Sequence, residues 1–127
     1  MIQLDANYLV LGSIPATRQA KHLQRWLNEG ELLSASAIAW MEFVTGPVTP
    51  EVVESIRQML EDRITAIGCD EAELAAGLFN LSGRKRTLRH DSLIASAAIL
   101  SGSRLATNNR SDFALFVPHG LQLARAE

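Results

Sequence analysis

A chain of 127 residues is sized for one domain, spanning 1–127, that buries roughly two thirds of the surface its unfolded form exposes. With 47% hydrophobic and 20% charged residues it is neither disordered nor fibrous, and no uncharged apolar stretch approaches the roughly 20 residues of a membrane-spanning helix. A net charge of −2 excludes a protein that grips nucleic acid by overall positive charge.

Ile2–Leu4 reads as a short strand ending in Asp5-Ala6-Asn7, after which Tyr8–Leu11 suits a helix that stops near Gly12 and Pro15. From Ala16 to Asn28 the apolar Ala20, Leu23, Trp26 and Leu27 recur at helical spacing, and Gly30 closes that amphipathic helix. Leu32–Ala35 is the second strand. Ser36 then caps a helix through Phe43 or Val44, ended by Gly46-Pro47 and carrying Glu42.

Pro50–Glu61 repeats the amphipathic pattern, Arg63–Ile67 is a third strand, and Asp70–Leu81 a further helix closed by Gly83. His90 or Asp91 opens the best-defined helix, which runs to Ser101 with Gly102 at its end. Ser103–Thr107 is a fourth strand, Asn108–Asp112 a turn, and Val117–Leu123 an edge strand after Pro118 and Gly120. Strands alternating with helices predict an α/β fold: an open, mostly parallel sheet of four to five strands covered by helices on both faces. Ligands of such sheets gather beyond the carboxyl ends of the strands.

Asp5, Asp91 and Asp112 each stand where a strand gives way to a turn or a helix begins. Each could serve as an N-cap that stabilises a helix by about 1 kcal/mol, or as a ligand. Glu42 lies between Met41 and Phe43, with Ile38 and Thr45 on its stripe, so its charge calls for a partner, either a protein cation or a bound metal. If the acids converge, their repulsion calls for a divalent cation. Oxygen-only ligation favours Mg²⁺ or Mn²⁺ over zinc, an arrangement suited to phosphoryl chemistry.

Four of the twelve basic residues, Arg84, Lys85, Arg86 and Arg89, fall just before Asp91, as a solvated loop or a positive patch beside that carboxylate. His90 could contact phosphate or simply face solvent. Cys69 reads as a small buried hydrophobe, and Trp26 and Trp40 as core or interface. The start, Met1-Ile2-Gln3-Leu4-Asp5, lacks a secretory pattern, and Cys69 has no disulfide partner, so a cytoplasmic location is expected.

Asp5-Ala6-Asn7, Met41-Glu42-Phe43-Val44-Thr45-Gly46, Asp91-Ser92-Leu93-Ile94-Ala95 and Thr107-Asn108-Asn109-Arg110-Ser111-Asp112-Phe113 resemble, in order and spacing, the four motifs of PIN-domain ribonucleases. The likeness extends over essentially the whole chain and is greatest to the compact VapC-type toxins of toxin–antitoxin pairs. It implies a Mg²⁺- or Mn²⁺-dependent endoribonuclease with Asp5, Glu42, Asp91 and Asp112 as the acidic set. Asp5, Asp91 and Asp112 would hold the ion, and Asn7, Thr107 and Asn109 would support it. It also implies a cognate antitoxin and a homodimer. Arg84, Lys85, Arg86 and Arg89 would then draw an RNA backbone towards the acids. Ala6 departs from the pattern, since relatives commonly carry threonine there. The reading from another class is a non-catalytic PIN-like module that binds RNA or protein.

Overall fold

A computed structural model describes residues 1–125; residues 126 and 127, the end of the expected domain, lie outside it. Five strands, β1 (Ile2–Leu4), β2 (Leu33–Ser36), β3 (Ile64–Thr65), β4 (Arg104–Ala106) and β5 (Gln122–Leu123), form one sheet in the order β3-β2-β1-β4-β5. Every pairing is parallel, so the expected mostly parallel sheet is wholly so. Ile2, Leu4, Leu33, Ala35 and Leu105 are fully buried, as befits strands covered on both faces.

The connections set the layers. The chain steps from β1 to β2 to β3 in one direction, then returns past β1 to β4 and on to β5. Right-handed crossovers in opposite directions put their helices on opposite faces of the sheet. The first set is α1 (Ala6–Gly12), α2 (Arg18–Asn28), α3 (Ala37–Thr45) and α4 (Pro50–Leu60); the return carries α5 (Cys69–Leu81) and α6 (Arg89–Ser101). α7 (Arg110–Phe113) and a 3-10 turn, Ala114–His119, lead into β5. Among the described residues no helix is long and apolar enough to cross a membrane.

Local chemistry starts these helices where the sequence puts a hydroxyl. Thr17, Ser36 and Thr49 accept the amides of Ala20, Ala39 and Val52 at 3.0, 3.2 and 3.2 Å, satisfying donors that would otherwise be orphaned. Gly68 N–H donates to Glu71 Oε1 at 2.7 Å at the start of α5. Gly102, at φ 68°, takes the left-handed conformation that ends α6.

Several expectations are corrected. β3 is two residues long rather than five, because Ala66 is exposed and Gly68 already starts α5. Val117, Pro118 and His119 belong to the 3-10 turn, leaving only Gln122 and Leu123 in the edge strand; Pro118 has no N–H to give a ladder. Cys69 is exposed rather than buried, since it opens α5 on its solvent side. Trp26 is core, 3% exposed and stacked on Tyr8, and Trp40 packs on Phe43 with Arg57 5.0 Å over its ring.

Candidate active site

The reversal of direction between β1 and β4 creates a topological switch point, and the polar groups gather at its carboxyl mouth. Leu4 pairs with Ala106, so the next residue on each strand, Asp5 and Thr107, leaves the sheet side by side. Thr107 Oγ1 donates to Asp5 Oδ2 at 2.7 Å. Asp5 Oδ1 accepts Ala6 N–H at 2.8 Å, and Asn7 Nδ2 donates to Oδ2 at 3.3 Å. A carboxyl group 4% exposed is thereby fixed in direction. Burial pushes its pKa up, and these three hydrogen bonds oppose the rise.

The support extends one turn further. Thr107 Oγ1 accepts Asn109 N–H at 3.0 Å, and Asn7 Oδ1 accepts Asn108 N–H at 3.2 Å. Asn109 therefore enters through its backbone: it occupies the N-cap position of α7, and its side chain makes no capping bond. Asn108, which the sequence did not single out, links this turn to α2 by accepting Gln19 Nε2 at 3.0 Å.

Glu42 comes from α3, which leaves the neighbouring strand β2. It is partly exposed rather than enclosed, and the expected partner is a protein side chain: His90 Nδ1 lies 3.4 Å from Glu42 Oε2. Burial raises the Glu42 pKa, Asp5 adds to the rise, and His90 opposes it.

Asp91 is the third residue of α6 and not its cap. Leu88 occupies the N-cap position without a side-chain bond, after a 3-10 turn, Arg86–Leu88, that leads straight into the helix. Asp112 likewise lies inside α7, so of the three aspartates only Asp5 caps a helix. Because α6 runs back towards the start of β4, its first turn opens at the carboxyl mouth. There Asp91 is pushed up to about 7, first by burial, then by the charges of Asp5, Glu42 and Asp112, with His90 pulling the other way. The four acids thus share one electrostatic neighbourhood, with Asp112 exposed at its rim.

Arg86, Arg89, His90, Glu42 and Asp91 line a cleft of about 370 Å³. The basic run divides around it: Arg86 and Arg89 reach the cleft, Arg84 turns to the ring of Phe79, and Lys85 does not line the cleft.

Among the described residues no three His, Cys, Asp or Glu side chains are already gathered as a metal-binding group. The donor chemistry nevertheless fits a hard divalent cation. All the acids offer oxygen, and the second cause of the rise at Asp91 after burial, repulsion from Asp5, Glu42 and Asp112, is one a cation would relieve.

No family model and no curated protein matches the chain. Solved structures do. The chain is similar to one in FitAcB from Neisseria gonorrhoeae, with a TM-score of 0.75 and 20% identity over 99% of this chain and 98% of that one. It is similar to one in a toxin–antitoxin complex from Klebsiella pneumoniae, with a TM-score of 0.76 and 24% identity over 100% and 98%. A chain of VapBC2 from Rickettsia felis, bound to a DNA fragment from their promoter, gives a TM-score of 0.71 and 22% identity over 98% of each. With the strand order and all-parallel pairing above, these likenesses show that the described residues have the PIN-domain fold.

Proposed function

We propose that the protein is a Mg²⁺- or Mn²⁺-dependent endoribonuclease, acting in the cytoplasm as the homodimeric toxin of a toxin–antitoxin pair and silenced by its cognate antitoxin. The observation that carries the enzymatic reading is the placement of Asp5, Glu42, Asp91 and Asp112 at one mouth of the sheet, where burial first and then the charges of the other three acids raise Asp91 to about 7. Structural caps do not need to be brought together, and Asp91 and Asp112 cap nothing. The toxin and antitoxin reading rests on the full-length likeness to a chain in a toxin–antitoxin complex and on the four sequence motifs.

Asp5, Asp91 and Asp112 would hold the ion, with Thr107 and Asn7 fixing the direction of the Asp5 carboxylate and Asn109 closing the turn through its amide. When bound, the ion supplies Lewis-acid polarisation of a phosphodiester oxygen and neutralises charge on the departing oxygen. Glu42, with His90 against one oxygen, would orient the attacking water and take its proton. Arg86 and Arg89, on the wall of the same cleft, attract the backbone and offset the repulsion between RNA and the acids.

The test is cleavage of a panel of tRNA, rRNA and mRNA, with DNA alongside. Wild type cuts RNA, stops in EDTA and recovers with Mg²⁺ or Mn²⁺, whereas Asp91→Asn does not cut. Metal-independent cleavage by clean protein, or activity that survives Asp91→Asn, overturns the mechanism. Induced expression without a partner should arrest bacterial growth, and Asp91→Asn should relieve it; equal growth with both forms removes the toxin reading.

A further inference from the structure

A second cavity, of about 390 Å³, opens between α5 and α6 beside the acidic cleft. It is lined by small side chains, Ala72, Ala75 and Ala76, by the ring of Phe79, and by Arg84 and Arg89. The guanidinium carbons of Arg84 and Arg89 lie 5.5 and 5.4 Å from the centre of the Phe79 ring. Arg89 also lines the acidic cleft, so the two cavities share a wall.

The charges here have no internal explanation. Among the described residues Arg84, Lys85, Arg86 and Arg89 pair with no carboxylate; Arg84 donates instead to the neutral Asn80 side chain. Arg84 also holds a left-handed backbone, φ 59°, directly after Gly83 at φ 81°, a conformation that costs a residue with a Cβ on the order of 1 kcal/mol. That turn sends the arginine back over α5.

We propose that this cavity is a nucleobase subsite: it takes the unpaired base flanking the scissile phosphate, stacked among Phe79 and the two guanidinium planes, while Arg86 holds the adjoining phosphate. The proposal rests on the ribonuclease reading and gives one unpaired base of that RNA a defined place beside the acidic cleft. Flat cationic groups around an aromatic ring match a planar π system carried on an anionic backbone. An acidic peptide would satisfy the charge but has no use for the ring. A base within a duplex could not enter, because its faces are already stacked.

The test uses a short single-stranded oligoribonucleotide spanning a cleaved bond, bound to Asp91→Asn protein so that it stays intact. Binding is measured with an abasic nucleotide walked along it, with and without Phe79→Leu. Arg84→Gln is run in parallel because Arg84 is exposed and its loss leaves the core untouched. One abasic position beside the cleaved bond should weaken binding roughly tenfold, the loss expected of a single base stack. It should cost nothing further once Phe79→Leu or Arg84→Gln is present, and the fully paired duplex should bind more weakly than the single strand.

Equal abasic penalties with and without the substitutions, or variants that bind RNA as tightly as the parent, overturn the subsite while normal cleavage leaves the nuclease standing. Variants that keep RNA binding but lose a co-expressed antitoxin assign the groove to protein, which also overturns it. Wild-type protein that neither cuts nor binds any RNA removes the ribonuclease reading and the subsite together.

Discussion

Asp5 and Asp91 reach the same mouth by different means. Asp5 is buried and tied by Thr107, Asn7 and the Ala6 amide, so its direction depends on neighbours that ligate nothing themselves. Thr107→Val removes one donor at constant shape and should lower cleavage about 10- to 100-fold, measured as kcat/KM beside the wild type, with the fold retained by circular dichroism. Asp91 has no such support and is penalised instead, first by burial and then by the charges of the other acids. From sequence, asparagine at position 91 should leave the melting temperature unchanged, on the view that a cap is preserved. The structure places Asp91 inside the helix, so Asp91→Asn removes a repelled charge and should raise the metal-free melting temperature by a few degrees at pH 8 while abolishing cleavage. A lower melting temperature would show that Asp91 contributes structure.

At the level of elements, the termini of α6 and α7 decide where the acids stand. α7 has four residues, too few to persist alone. It is anchored by fully buried Phe113, edge-on to Phe116 at 6.2 Å, and by Arg110 Nη1 donating to the Ala124 carbonyl at 2.8 Å. Phe113→Ala should therefore cost about 3–5 kcal/mol in denaturant unfolding. At the start of α6, Arg86→Ala should weaken RNA binding evenly across sequences and reduce the slope of log affinity against log salt by about 1; an unchanged slope would show that Arg86 meets no phosphate. The sequence resolved most helices because apolar spacing agrees with the Ser36 cap and with glycine stops such as Gly102, while the Thr17 and Thr49 caps emerge only in the structure. It misplaced Asp91 because the 3-10 turn at Arg86–Leu88 carries no period of its own and shifts the start of α6. The pairing of Glu42 with His90 joins residues 48 apart, and no local pattern reports such a contact. The same holds for the cavity between α5 and α6, which arises from what alanines leave empty.

For the whole molecule, topology explains why distant acids face one mouth: the reversal at β1 and β4 opens an end of the sheet into which α1, α3, α6 and the turn before α7 all lead. Alternating elements made the parallel sheet legible, whereas the two-residue β3 and β5 take their strand character from pairing with β2 and β4. Burying these acids near one another makes the metal-free protein sensitive to pH. The pKa of Asp91 is about 7 in the fold against an ordinary 3.8, and Asp5 and Glu42 shift in the same direction. Between those values the unfolded chain has released its proton and the folded one retains it, so stability is greatest below about pH 4 as far as these groups act and falls as pH rises towards 7. Thermal melts in EDTA should show that fall, and Mg²⁺ should reverse part of it near pH 8. The most direct test of the shared ion is Mn²⁺ binding followed by electron paramagnetic resonance, in wild type and in Asp5→Asn, Glu42→Gln, Asp91→Asn and Asp112→Asn proteins that melt cooperatively. Saturable binding that weakens with each of the three aspartate substitutions is the predicted result; wild type without a Mn²⁺ site, or aspartate variants that bind as wild type does, would contradict it.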